Sequence, residues 1–263
     1  MTPLITIRGV TKRYGDAGRP MVALENVDLE VAAGEFLCLL GPSGCGKSTL
    51  LNAIAGFLRP SAGTIEVGGV PVTGPGPDRG MVFQEYALFP WLTVAANVGF
   101  GLRIKGVPRT EIALRVERLL AQLTLSEFRH RYPKDLSGGM RQRVAIARIL
   151  ALDPPILLMD EPFGALDALT RSNLQDELLR LWEQFRKTVV FVTHSIDEAI
   201  HLADRIVVLT YRPGTVKRIV PVTLPRPRDV SSPEANILKR EVTALVMEEQ
   251  TRFRQQETTG SPA

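Results

Sequence analysis

The chain has 263 residues, of which 44% are hydrophobic and 23% charged; this ordinary globular usage argues against disorder as the main state and leaves room for one or two domains. Lys plus Arg number 32 and Asp plus Glu 28, a formal net charge of +4, with none of the basic runs or stripes that mark a nucleic-acid protein. Cys38 and Cys45 are the two cysteines; they exclude a disulfide framework and a four-ligand zinc site and read as reduced thiols of a cytosolic chain.

Met1 to Tyr14 is short, mixed and broken by Arg8, Lys12 and Arg13, unlike a secretory signal. Leu4–Ile7 and Val27–Val31 read as strands. Phe36–Leu40 is a continuous apolar run, the pattern of a strand buried on both faces. A glycine-rich turn follows, then a helix over 47–56. Thr64–Val67, Met81–Phe83, Ile156–Met159, Val189–Thr193 and Arg205–Thr210 read as further strands separated by helical stretches, which predicts an α/β core on a parallel sheet. Residues 85–152 carry helical patterns instead. Ile112, Val116, Leu119, Leu120 and Leu123 fall on one helix face, so this segment reads as a helical lobe inserted into the sheet domain. Past Pro221, Pro225 and Pro227, the apolar positions Ile237, Val242, Leu245 and Val246 predict a surface helix before a polar end, Gln255–Ala263. The longest apolar runs fall far short of the roughly 20 residues of a spanning helix, so any membrane role is expected to come through a partner.

Two stretches carry chemistry. Gly41-Pro42-Ser43-Gly44-Cys45-Gly46-Lys47-Ser48-Thr49 fits G-x-x-x-x-G-K-[ST], placed after a buried strand and opening a helix. The glycines let backbone N–H groups face phosphate oxygens, and the helix N-terminus adds positive potential. Lys47 can reach the β- and γ-phosphates, and the Ser48 hydroxyl can ligate Mg²⁺. The second stretch is Ile156–Met159 followed by Asp160 and Glu161. Two carboxylates at the C-terminal end of a buried strand lie where open α/β sheets bind ligands. Asp160 suits a magnesium held through water, and Glu161 suits a base for an attacking water.

Leu136-Ser137-Gly138-Gly139-Met140-Arg141-Gln142-Arg143, lying between those two stretches, resembles the signature of ATP-binding cassette (ABC) proteins. Other landmarks of that family follow in order over about residues 1–225. Gln84 matches the glutamine loop, Asp167 in Ala165-Leu166-Asp167 the loop after the acidic motif, His194 the histidine switch, and Tyr14 the aromatic that stacks on adenine. The resemblance implies a P-loop NTPase core of the ABC type from residues 1–84 and 153–225, a helical signature subdomain from 85–152 and a helical tail from 226–263. It implies ATP and Mg²⁺ as ligands, with Gln84 joining Ser48 and Asp160 at the metal. It also implies a homodimer, or a heterodimer with a related cassette. Each ATP lies between the phosphate loop of one chain and Ser137–Gly139 of the other, Asp167 lies across the same seam, and His194 contacts the γ-phosphate. At Ser195 the chain departs from the family's usual Asp, but Ser195-Ile-Asp-Glu198 forms a capping box that is expected to preserve the following helix. His130 and His201 read as bland, and Cys45 as a small filler in the loop.

The apolar, aromatic stretch from Glu85 to Leu92 suits a short helix of a membrane partner; by resemblance a permease docks over Gln84–Leu92. Gly74–Gln84, Leu88–Thr93, Glu161–Asp167 and Leu224–Arg228 together resemble importer ATPases for taurine, aliphatic sulfonates, nitrate or bicarbonate. Those work at the cytoplasmic face of the cell membrane, with a separate permease and an extracytoplasmic solute-binding protein, and without nucleic acid. A soluble cassette ATPase of DNA repair or translation is the alternative, but the second cassette, coiled coil or zinc cysteines usual there are missing. A P-loop kinase would have no use for Ser137–Gly139.

Overall fold

A computed structural model describes residues 3–15 and 21–258. The chain forms two compact units, one from the spans 1–76 and 188–263 and one from 77–187. In chain order, the first unit begins with β1 (Pro3–Tyr14), β2 (Met21–Ala32), β3 (Phe36–Leu40), α1 (Lys47–Ala55), β4 (Ala62–Val67) and β5 (Val70–Pro71). The second unit holds β6 (Arg79–Val82), α2 (Val94–Val98), α3 (Phe100–Ile104), α4 (Arg109–Gln122), α5 (Gly138–Leu150), β7 (Ile156–Asp160) and α6 (Ala168–Phe185). The chain re-enters the first unit with β8 (Thr188–Thr193), α7 (Ile196–Leu202), β9 (Arg205–Leu209), β10 (Val216–Pro221) and α8 (Pro233–Thr258).

The architecture is α/β. In the first unit β3 pairs in parallel with β8 on one side and β9 on the other, and all five β3 residues are buried. Phe36 and Phe191 pack there at 5.8 Å between ring centroids. This sheet is mostly parallel, as expected, and two features add to that expectation. β10 adds to β9 in antiparallel, and β2, β1, β4 and β5 form a separate antiparallel sheet. The cue for the second sheet lies in β2, where Val27, Leu29 and Val31 are buried and the residues between them exposed. Such alternation belongs to antiparallel strands with one wet face, not to doubly covered parallel ones.

α1 ends where the sequence places its end. Gly56 caps it at φ 81°, donating its N–H to Ala53 O. A Cβ on Gly56 would fall 2.1 Å from Gly74 O, so the fit to the 74–76 turn depends on the missing side chain. Gly56→Ala is expected to destabilise the protein by about 3 kcal/mol, from a strained left-handed residue plus a backbone clash. Urea denaturation checks this, and an unchanged midpoint would contradict it.

The second unit pairs β6 with β7 in parallel, from Arg79 opposite Ile156 to Val82 opposite Met159. Its helices fill the span read as a helical lobe, and in α4 the buried residues are Val116, Leu119 and Leu120. Among the described residues no helix is long and apolar enough to cross a membrane.

Two further expectations change in the structure. The capping box at Ser195 is half formed: Ser195 Oγ accepts from the Glu198 N–H at 3.3 Å. The Glu198 carboxylate instead takes the buried Thr193 hydroxyl, while the Ser195 N–H turns to Thr193 Oγ1 at 2.9 Å. The tail helix α8 runs to Thr258, into the stretch expected to be a polar end; 259–263 lie outside the described residues. The Leu224–Arg228 stretch also has a structural role. The buried Arg228 guanidinium donates to the carbonyls of Ile200 at 2.8 Å and Ala203 at 2.6 Å, satisfying the orphan acceptors at the end of α7. Burial, then the neighbouring Arg226 charge, lower its pKa to about 10.

Candidate functional site

The phosphate-loop motif lies in the first unit. β3 delivers the chain into the loop 41–46, and α1 opens at Lys47. Gly44 and Gly46 take φ of 80° and 98°, and Gly46 stands at the helix N-cap with no side chain capping the first turn. Such an uncapped turn leaves main-chain donors to an anion. Lys47 is 5% exposed, and its Nζ donates to Gly41 O at 2.8 Å and Pro42 O at 3.0 Å, which folds the ammonium back over the loop. Cys45 fills the loop's interior: a Cβ on Gly41 would lie 2.8 Å from Cys45 Sγ. Burial, opposed by the Lys47 charge, raises the Cys45 pKa. Ser48 is exposed at the start of α1, with Thr49 and Ser43 on the same stretch.

His194 lies in the same unit. Leu40 is in register with Thr193 across the parallel β3–β8 pair, so His194 leaves β8 level with Gly41 leaving β3. The side chain is exposed. Tyr14, the last residue of β1, is 37% exposed, and the Lys12 ammonium lies 5.2 Å from its ring centroid.

The second unit gathers the remaining motif residues around the ends of β6 and β7. The Val82–Met159 register sends the chain on to Gln84 from one strand and to Asp160 and Glu161 from the other. Asp160 and Glu161 are half-buried, and Glu161 takes φ 43°. A Cβ placed on Gly164 would lie 3.6 Å from Gln84 Nε2 and 3.9 Å from Glu161 Oε2. The amide and the carboxylate thus converge on one glycine, and the Gly164 N–H closes that turn on Glu161 O at 3.1 Å.

The signature residues pack against the same loop. Ser137 caps α5, accepting from the Met140 N–H at 3.3 Å. Gly138 abuts Leu166 and the Tyr86 hydroxyl, where a Cβ would fall at 3.1 and 3.2 Å, and Gly139 abuts Thr170 at 2.7 Å. Asp167 is exposed and caps α6; the Thr170 N–H at 3.0 Å is the main reason its pKa falls below the usual value. The structure therefore brings Gln84, Glu161, Ser137–Gly139 and Asp167 onto connected segments of one unit.

Several residues of this unit were not legible as site residues. Arg148, near the end of α5, donates to Ala87 O at 2.6 Å and Tyr86 O at 3.4 Å, locking two residues held at φ 49° and 59°. The Arg141 guanidinium lies 5.4 Å from the Tyr86 ring centroid. Buried Asn97 donates to the carbonyls of Phe89, Leu92 and Thr93 and accepts from the Phe89 N–H, clamping the 89–93 segment. The one cue was a polar residue inside the apolar α2. Trp91 in the middle of that segment is 71% exposed, 5.7 Å from Phe89 between ring centroids.

The ABC transporter family profile matches residues 24–164. A bicarbonate transport ATP-binding protein of Synechocystis sp. is 48% identical over 231 residues, covering 87% of this chain and 82% of its own. A nitrate import ATP-binding protein of the same organism is 48% identical over 221 residues, 84% of this chain and 83% of its own. An aliphatic sulfonates import ATP-binding protein of Bacillus subtilis is 44% identical over 238 residues, 90% of this chain and 92% of its own. Among solved structures, a dimeric ATP-binding cassette in a post-hydrolysis state, bound to ADP and Pi, superposes with a TM-score of 0.73 at 36% identity, covering 84% of this chain and 99% of that one. With its ordered phosphate loop, signature and acidic motif, the chain belongs to the ABC transporter family and is an ATP-binding subunit, an ATPase coupled to transport.

Proposed function

We propose that this subunit energises the import of a small anionic solute, of the nitrate, bicarbonate, sulfonate or taurine type, through a separate permease at the cytoplasmic face of the cell membrane, with an extracytoplasmic protein delivering the solute. The convergence of Gln84 and Glu161 on Gly164 carries this reading. It places the residue that would activate water beside the first residue of the segment leading to exposed Trp91, so a push at Trp91 has a short mechanical path to the reaction centre. The relatives that import nitrate, bicarbonate and sulfonates support the solute class.

In this reading two copies clamp two ATP molecules. Residues 41–49 and Tyr14 of one copy face Ser137–Gly139 of the other, and Asp167 lies on the seam. Glu161 takes the proton of the attacking water, and His194 bonds the γ-phosphate. Ser48, Gln84 and Asp160 offer hydroxyl, amide and carboxylate oxygens, the hard donor set that Mg²⁺ prefers; they would hold the ion, which when bound would supply charge neutralisation to the phosphates. The catalytic core is assigned to 1–84 and 153–225 and the docking lobe to 85–152.

The test is a Trp91→Ala variant co-expressed with a permease whose solute uptake the parent subunit supports. ATP turnover of the isolated subunit is expected to stay within about twofold of the parent, while co-purification with the permease and solute uptake are lost. Undiminished uptake would refute docking at this segment, and co-purification with nucleic acid instead of a permease would refute the importer reading.

A further inference from the structure

The loop between β9 and β10 touches the phosphate loop from outside and is held at its other end by α8. Arg212 Nε donates to Gly44 O at 3.4 Å, and a Cβ on Gly44 would lie 3.3 Å from Arg212 Nη2. The guanidinium also lies 5.7 Å from the Tyr211 ring centroid. Two residues on, Gly214 packs beneath the same loop, where a Cβ would strike Cys45 O at 2.2 Å. Gly214 is also tied to β2: its N–H donates to Ala23 O at 3.0 Å, and its carbonyl accepts from the Glu25 N–H at 3.1 Å. Thr210 braces the loop internally, its hydroxyl donating to Pro213 O at 2.7 Å.

The far anchor is Glu249 of α8, 3% exposed. Its carboxylate accepts the Tyr211 N–H at 3.0 Å and pairs with Lys217 Nζ at 2.7 Å. Burial pushes this carboxyl up, but the bonds from Lys217 and Tyr211 outweigh it and hold its pKa below the usual value. A buried carboxylate with two such partners is a fixed point, since removing either leaves an unsatisfied group.

We propose that Arg212 is a positioning residue of the phosphate loop and that α8 holds it in place through Glu249, so that the tail sets ATP affinity. The peptide that carries Gly44 O bears the Cys45 N–H on its opposite edge. That N–H donates to Pro42 O at 3.3 Å and so closes the 42–45 turn of the loop. Holding the carbonyl from outside thus fixes the plane of this peptide, and with it the turn that shapes the loop, at a glycine whose backbone is otherwise free to flip. The inference rests on ATP occupying residues 41–49.

The experiment measures KM for MgATP, kcat and binding of a fluorescent ATP analogue, with thermal melting to verify folding. Lys47→Ala serves as the control for the ATP site itself: if it binds ATP like the parent, the site assignment fails and not the tether. Arg212→Ala is expected to raise KM about fivefold, the worth of one modest hydrogen bond, with kcat within about twofold. Arg212→Gln, which donates without charge, is expected to restore much of the affinity. Restoration by Arg212→Lys but not by Arg212→Gln would mean direct attraction of phosphate and would overturn the positioning role. Glu249→Ala is expected to raise KM in the same direction, and the double variant to match Arg212→Ala alone. Additive effects, or an unchanged KM in Arg212→Ala, would overturn the tether.

Discussion

Replacing Glu161 by Gln is expected to lower ATP turnover by about a hundred- to ten-thousand-fold, the span typical for losing a general base. Gln is nearly isosteric with Glu, so the turn that Gly164 closes on Glu161 O and the approach of Gln84 to Gly164 are retained. What disappears is the proposed acceptor for the water's proton. Nucleotide binding, proposed for residues 41–49, is expected to persist. The variant should therefore accumulate as an ATP-bound dimer, visible by size-exclusion chromatography with light scattering and absent without ATP. Turnover at the parent rate would remove Glu161 from the role of base. Slow turnover with no dimer would leave the base in place and refute the sandwich.

Replacing Ser137 by Arg is expected to separate binding from hydrolysis. Ser137 is exposed at the N-cap of α5, and the two glycines after it pack on Leu166, Tyr86 and Thr170. Loss of the cap costs about 1 kcal/mol of stability, too little to unfold a domain. The larger effect falls on the anion site that Ser137–Gly139 would offer to a second copy. Turnover is expected to fall about a hundredfold or more, as when one preorganised donor is lost at a developing charge. The dissociation constant for ATP in dilute protein should stay within about twofold, because in the proposed arrangement a single copy binds through its own phosphate loop. Full activity in this variant would favour a phosphotransferase that works as a single copy.

What the sequence determined by itself is contiguous chemistry. A glycine-rich loop, its lysine and the helix that follows need only neighbours in the chain, because they are one stretch of backbone with fixed dihedral demands. For the same reason α1 stops before Gly56 and β3 is the buried run Phe36–Leu40. The tertiary structure alone decided which distant residues share a partner. Glu198 turned from Ser195 to Thr193 because a buried hydroxyl and carboxylate satisfy each other. Arg148 reaches 61 positions back to Ala87, Arg228 reaches 25 back to Ala203, and Glu249 reaches 38 back to Tyr211. Each is a long side chain answering a main-chain group left unpaired by an irregular loop or a helix end, and no spacing rule encodes such a meeting. The second, antiparallel sheet lies between these limits: its alternation is written in β2, but its pairing with β1 and β4 is a matter of register across turns that only the folded chain fixes.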